Sequence, residues 1–142
     1  IGAGGAAKAC CVVLERRGAR IWVTDRTASR AQELAKRFSG RVAGHGDVAS
    51  VGFDMLVNCT PLGMKGFPDE LPVDPSAFRA GQWAVDLVYN PEATRFLVEA
   101  GNRGARTLSG MEMLIYQAMD AFEAWTGQRP PYEAMAEGAR TG

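Results

Sequence analysis

The stretch Gly2-Ala3-Gly4-Gly5-Ala6-Ala7 decides the fold, together with the apolar-periodic segment up to Gly18 and the run Arg20-Ile21-Trp22-Val23-Thr24-Asp25. It fits G-x-G-x-x-G/A, the turn that joins a strand to a helix where a dinucleotide is held. Gly2 allows the tight turn, Gly4 lets the backbone approach a pyrophosphate, and Ala7 keeps the helix close to the sheet. The helix start adds unpaired N–H groups and the positive end of a dipole, both favourable to phosphate. Glycine turns also serve plain strand–helix connections, so the context must carry the reading. A helix is expected over about 4–17, then a strand over 20–24, then polar residues about 20 positions beyond the turn, as the motif requires.

Outward from that turn, short apolar runs alternate with amphipathic stretches, the pattern of βαβ units on a parallel sheet. A helix is expected from Ala28 to Phe38, with Thr27 as its N-cap and Ala31, Leu34, Ala35 and Phe38 at helical spacing. Arg41 to Ala43 reads as a short strand, and Asp54 to Cys59 and Trp83 to Val88 as buried ones. Thr60 to Pro75 holds four prolines and two glycines, which predicts a long ordered loop or flap. Pro91 is expected to start a helix reaching Ala100. A strand at Arg106 to Leu108, a long helix from Met111 to Trp125 and a weak helix beyond Pro130-Pro131 follow. The expected class is α/β and Rossmann-like: a doubly wound, mostly parallel sheet with helices on both faces. Without repeats, low-complexity tracts or an internal linker, residues 1–142 read as one domain, cut close to its first strand.

The chain is 46% hydrophobic and 23% charged with a formal net charge of zero, an ordinary globular composition. Neutrality removes the electrostatic argument for nucleic acid or an anionic membrane as partner. No apolar run approaches the roughly 20 residues that span a bilayer. Cys10, Cys11 and Cys59 are odd in number and lack C-x-x-C spacing, so neither a disulfide framework nor a zinc site is expected. They read as small core residues in a reducing, cytoplasmic setting. His45 stands between Gly44 and Gly46 with no carboxylate or cysteine at a useful spacing, so neither a metal nor a catalytic role is expected of it. Asp86 closes an apolar run and is expected to order the next loop rather than to move protons.

The end of the second strand concerns the cofactor's ribose. An acid there binds the 2′-hydroxyl of NAD, whereas arginine accommodates the 2′-phosphate of NADP. Asp25-Arg26-Thr27-Ala28-Ser29-Arg30 contains both. Arg26 can stack on adenine and contact the phosphate, Arg30 lies one turn on, and Thr27 adds a hydroxyl. Two arginines against one aspartate favour NADP, with NAD still open. The plainer alternative is a solvated ion cluster of Asp25 with the arginines.

Taken together, the glycine turn, Asp25-Arg26-Thr27, Asn58-Cys59-Thr60-Pro61-Leu62-Gly63-Met64, Asp86-Leu87-Val88-Tyr89 and Ser109-Gly110-Met111-Glu112-Met113-Leu114-Ile115-Tyr116-Gln117-Ala118 resemble the shikimate dehydrogenase family in order and spacing. The closing Phe122-Glu123-Ala124-Trp125-Thr126-Gly127 is similar as well. The resemblance implies reversible hydride transfer between NADP(H) and the 3-dehydroshikimate/shikimate pair, on the route to chorismate and the aromatic amino acids. By position it implies that Gly2, Ala3, Gly4, Gly5 and Ala6 hold the pyrophosphate and that Asp25, Arg26, Thr27 and Arg30 meet the adenosine 2′-phosphate end. Thr60, Leu87, Gly110 and Met113 would border the nicotinamide, and Tyr89 and Gln117 would reach the substrate hydroxyls. Without the family, Tyr89 reads equally as a strand-end aromatic packed on a loop, and Gln117 as a solvent-facing helix residue.

Asp25 stands where the family pattern has asparagine, which makes a quinate/shikimate dehydrogenase using NAD the alternative. The resemblance also implies that the catalytic lysine–aspartate pair and the carboxylate-binding serines belong to an N-terminal domain. Lys65 is therefore not the catalytic lysine, and this chain is expected to contain no catalytic residue. It is expected to bind nucleotide without turnover, sharing its small-molecule substrate with that domain, and a homodimer is among the expected assemblies. A non-catalytic nucleotide-binding module is the reading from another class. The methionines of the long helix, Met111, Met113 and Met119, are expected in core and interdomain packing.

Overall fold

The computed structural model describes residues 1–141. Helix α1 (Gly5–Arg16) follows the glycine turn and buries Ala7 and Cys11, one helical turn apart. Strand β1 (Trp22–Val23) leads into α2 (Ala28–Arg37), whose Ala31, Leu34 and Ala35 are buried, and then into β2 (Arg41–Val42). The short α3 (Val48–Val51), β3 (Met55–Asn58), a 3₁₀ turn at Pro75–Ala77 and β4 (Trp83–Asp86) come next. The remaining elements are α4 (Arg95–Asn102), β5 (Arg106–Leu108), α5 (Gly110–Thr126) and α6 (Tyr132–Thr141).

Every strand pairing is parallel: β1 with β2, and β3 with β4 and β4 with β5. Two hydrogen-bonded groups result, and residues Ile1 and Gly2 bridge them. The Ile1 nitrogen donates to the Val57 carbonyl at 2.7 Å, and the Cys59 N–H donates to the Ile1 carbonyl at 2.9 Å. On the other side the Gly2 N–H donates to the Thr24 carbonyl at 2.8 Å. The order across the whole is thus β2, β1, Ile1–Gly2, β3, β4, β5, a doubly wound sheet that reverses direction beside Gly2. That reversal opens a crevice at the carboxyl ends of the strands, where open α/β sheets take their ligands.

Helix α2 packs on β1 and β2, and α4 on β4 and β5. Phe78 anchors the second core, meeting Phe53 and Phe96 edge-on with ring centroids 5.6 and 5.5 Å apart. The segment from Thr60 to Pro75 is an ordered loop, as expected. Gly63 N–H donates to Pro68, Lys65 N–H donates to Asn90, and Pro72 and Val73 are buried.

Several boundaries differ from the sequence reading, each for a visible reason. The strands are shorter than their apolar runs, because ladder pairing involves only part of each run. Thr27 occupies the N-cap position of α2 but makes no side-chain cap bond. Pro91 does not start α4: Thr94 caps it, accepting from the Leu97 N–H. Helix α3 was not anticipated; four residues between turn-forming neighbours leave no periodicity to read. Of the three cysteines only Cys11 is buried, while Cys10 and Cys59 are half-buried. Met111 and Met119 pack around Ile115 and Ala136, whereas Met113 is exposed.

Candidate dinucleotide and strand-end site

Asp25, Thr60 and Leu87 stand just past the carboxyl ends of β1, β3 and β4, whereas Arg30 lies on α2 and Met113 and Gln117 on α5. Gly2 has φ +95° and lies so close to β3 that a Cβ would sit 3.2 Å from both the Cys59 carbonyl oxygen and Thr60 Cγ2. Glycine there is a requirement of backbone and packing. Gly4 and Gly5 differ. Gly4 has φ −84°, which any residue can adopt, and a Cβ on either glycine would meet nothing within 4 Å. Their small size serves open space, which is what close approach of a pyrophosphate to the backbone needs. No side chain caps α1, and the N–H groups of Gly5, Ala6 and Ala7 have no protein partner among the described residues. These residues fit the phosphates of a dinucleotide.

Asp25 is tied down. Its Oδ2 accepts from the Ala3 N–H at 2.9 Å and its Oδ1 from the Thr27 N–H at 2.8 Å. The carboxylate therefore joins the glycine turn to the start of α2, and no ion pair among the described residues includes it. The ion cluster considered from the sequence is not formed. Arg26, Thr27 and Arg30 are exposed. Arg30 lines a cavity of about 240 Å³ whose other walls include Ala3, Gly4, Gly5, Lys8 and Arg37. Arg26 and Thr27 do not line it. Lys8 and Arg37 are cations that the sequence reading missed, and their spacing on amphipathic helices gave no signal beyond an ordinary solvated face.

At the other strand ends a buried polar network sets the geometry. Register places Asn58 of β3 opposite Asp86 of β4. Asn58 and Asp86 are 0% exposed and Thr94 is 1% exposed. Asn58 Nδ2 donates to Asp86 Oδ1 at 2.9 Å, the Val88 N–H donates to the same oxygen at 3.0 Å, and the Thr94 hydroxyl donates to Oδ2 at 2.6 Å. Asn58 Oδ1 accepts from both the N–H and the hydroxyl of Thr60, at 3.0 and 2.6 Å. Burial pushes the Asp86 carboxyl above its ordinary value, and the bonds from Thr94, Val88 and Asn58 pull it back in part. Asp86 thus orders the loops after β3 and β4, as its sequence position suggested. Thr94 was missed, although a threonine three residues before Leu97 is an N-cap signal.

Leu87 continues the ladder, donating to Asn58, and the Gly110 N–H donates to Val88 at 3.1 Å. A Cβ at Gly110 would collide with the Leu87 carbonyl, so α5 can start against β4 only with glycine there. Met113 and Gln117 follow on α5 at i+3 and i+7 from Gly110, on one helix face, and both are exposed. Tyr89 is 42% exposed just past the end of β4. His45 lies in an exposed turn and Lys65 on the exposed loop after Met64. Among the described residues no three His, Cys, Asp or Glu side chains gather to hold a metal, and no helix is long and apolar enough to cross a membrane.

This fold, with an uncapped glycine turn at the reversal point and polar strand ends beside it, defines a Rossmann-like dinucleotide-binding domain. A family model described as the shikimate 5′-dehydrogenase C-terminal domain matches residues 110–138. The NADP(+)-type shikimate dehydrogenase of Carboxydothermus hydrogenoformans is 40% identical over 143 residues, covering 95% of this chain and 51% of that protein. Among solved structures, the shikimate 5-dehydrogenase of Thermus thermophilus in complex with NADP(H) and shikimate superposes with a TM-score of 0.88. It is 39% identical, with 98% of this chain and 52% of that one covered. The quinate dehydrogenase of Corynebacterium glutamicum in complex with NAD gives a TM-score of 0.83 at 37% identity, covering 96% and 51%. The chain matches the shikimate dehydrogenase family, to the extent of one domain of it. It spans about half the length of the curated relatives it matches.

Proposed function

We propose that residues 1–142 are the cofactor domain of an NADP(H)-dependent shikimate dehydrogenase, which as a whole protein reduces 3-dehydroshikimate reversibly to shikimate. The observation that carries this reading is the open glycine turn at the reversal point, which lines one cavity with Arg30 while its Gly2 abuts Cys59 and Thr60 at the end of β3. A bound nicotinamide dinucleotide supplies the hydride donor or acceptor; the chain's own residues bind and orient. Gly2, Ala3, Gly4, Gly5 and Ala6 surround the pyrophosphate. The free N–H groups of Gly5 and Ala6, with that of Ala7, hold it, while the N–H groups of Gly2 and Ala3 stay bonded to Thr24 and Asp25. Arg26, Thr27 and Arg30 hold the 2′-phosphate, with Asp25 setting the turn that presents them. Thr60, Leu87, Gly110 and Met113 border the nicotinamide, and Tyr89 and Gln117 bond the substrate hydroxyls, a phenol and a carboxamide both suiting a polyol.

The substrate's acid/base pair comes from a further, N-terminal domain in this proposal, and a homodimer and a cytoplasmic location belong to it as well. NAD use with quinate is the second reading, favoured by the acidic Asp25 and by the likeness to the Corynebacterium glutamicum enzyme. The test is NADPH formation from NADP⁺ and shikimate. The whole protein is expected to turn over with shikimate faster than with quinate, and the 142-residue chain alone not at all. Nucleotide binding without turnover by the whole protein would replace this reading with a non-catalytic module.

A further inference from the structure

Two thiols take no part in the function above. Cys10 lies in the second turn of α1 and Cys59 directly follows β3; Cys59 Sγ is 3.9 Å from Cys10 Sγ and 4.0 Å from the Val57 carbonyl oxygen, so its one proton has two acceptors. A disulfide bond is about 2 Å long, so closure asks for roughly 2 Å of approach, shared between side-chain rotation and the backbone. Both cysteines are half-buried, whereas the adjacent Cys11 is buried in the α1–α2 core. Neighbouring helix residues point about 100° apart, so one of the two can face β3 and the other cannot. The hydrogen bond from Cys59 lowers the Cys10 thiol to about 7, against burial, while Cys59 itself is pushed up by the same contact.

We infer that Cys10 and Cys59 form a modification site that closes to a disulfide when the protein meets a hydroperoxide. In the first step the Cys10 thiolate attacks the terminal peroxide oxygen. The O–O bond breaks, the other oxygen leaves and takes up a proton as water or alcohol, and Cys10 becomes a sulfenic acid. In the second step the Cys59 sulfur bonds to the Cys10 sulfur and the S–O bond breaks, releasing water that carries the Cys59 proton. Two thiols are oxidised and one hydroperoxide is reduced. The bond fastens α1 to the residue whose carbonyl packs on Gly2, so closure displaces the glycine turn. Its effect on NADP⁺ binding rests on the proposed function; formation of the bond does not.

The test treats the intact protein with hydrogen peroxide and maps its peptides by mass. The expected result is a Cys10–Cys59 cross-linked pair lacking two hydrogens, reversed by dithiothreitol and retained in Cys11→Ala. Cys59→Ala removes the contact that lowers the Cys10 thiol, so Cys10 should react more slowly with peroxide there, and the sulfenic acid it forms should persist for dimedone to trap. Oxidation of Cys10 to sulfinic acid without a cross-link, or no faster reaction at Cys10 than at Cys11, would overturn the inference; the unsubstituted protein alone suffices for both readings. The oxidised form is expected to bind NADP⁺ about tenfold more weakly than the reduced form. Equal affinity of the two forms would remove the coupling and leave the disulfide. Absence of NADP⁺ binding by the reduced protein would count against the proposed function and not against the disulfide.

Discussion

Asp86 is a fully buried carboxylate reached by three donors, from Asn58, Val88 and Thr94. Asp86→Ala strands those donors in the interior and is expected to cost about 3 kcal/mol in denaturant unfolding. Its ionisation adds a pH signature. Burial raises the folded-state pKa, so the native chain holds this proton more tightly than the unfolded one. Stability should therefore fall as pH rises from the ordinary carboxylate range to the raised value, and level off above it. Asp86→Asn keeps an acceptor for Asn58 and Val88 and should flatten that fall; an unchanged slope would refute the assignment. At Asp25 both oxygens are already bonded to backbone N–H groups. Asp25→Asn gives up one of those bonds and removes the negative charge beside Arg26 and Arg30. Its ratio of NADP⁺ to NAD⁺ affinity should rise roughly fivefold, the equivalent of about 1 kcal/mol for an exposed charge pair; an unchanged ratio would show that the charge does not reach the ribose. The residue types of this site were legible in the sequence. The bonds were not: nothing in the order of residues says that Asp25 caps the glycine turn or that Thr94 reaches Asp86, because both contacts depend on the sheet being assembled.

The elements explain which glycines matter and how. Gly2→Ala sets a Cβ 3.2 Å from the Cys59 carbonyl at φ +95°, and should destabilise the fold by about 2 kcal/mol. Gly4→Ala meets no protein atom, so thermal unfolding should stay within about 0.5 kcal/mol of the parent while NADP⁺ affinity drops. Equal effects of the two substitutions on stability would contradict the division of roles. The glycine motif was readable from spacing alone, as were the helices with sustained apolar periodicity. Helix α4 was misplaced because Pro91 and Thr94 both signal a start, and only the buried bond of Thr94 to Asp86 decides between them. The ends of β1, β3 and β4 were overextended because apolar runs continue past the paired ladder.

Across the whole molecule the α/β class followed from the alternation of patterns, but the strand order did not. It depends on Ile1 and Gly2 lying between Val57–Cys59 and Thr24, contacts separated by more than 20 residues in each direction. That placement creates the reversal point, sets Gly2 against Thr60 and leaves Gly4 and Gly5 open on a cavity shared with Arg30, the arrangement on which the cofactor assignment rests. The most direct test is calorimetric titration of the chain with NADP⁺ and with NAD⁺, repeated with Gly4→Ala and Arg30→Ala. One-site binding that prefers NADP⁺, weakened for both nucleotides by Gly4→Ala and selectively for NADP⁺ by Arg30→Ala, is the expected result. Saturable binding indifferent to both substitutions, or none by a folded chain, would contradict it.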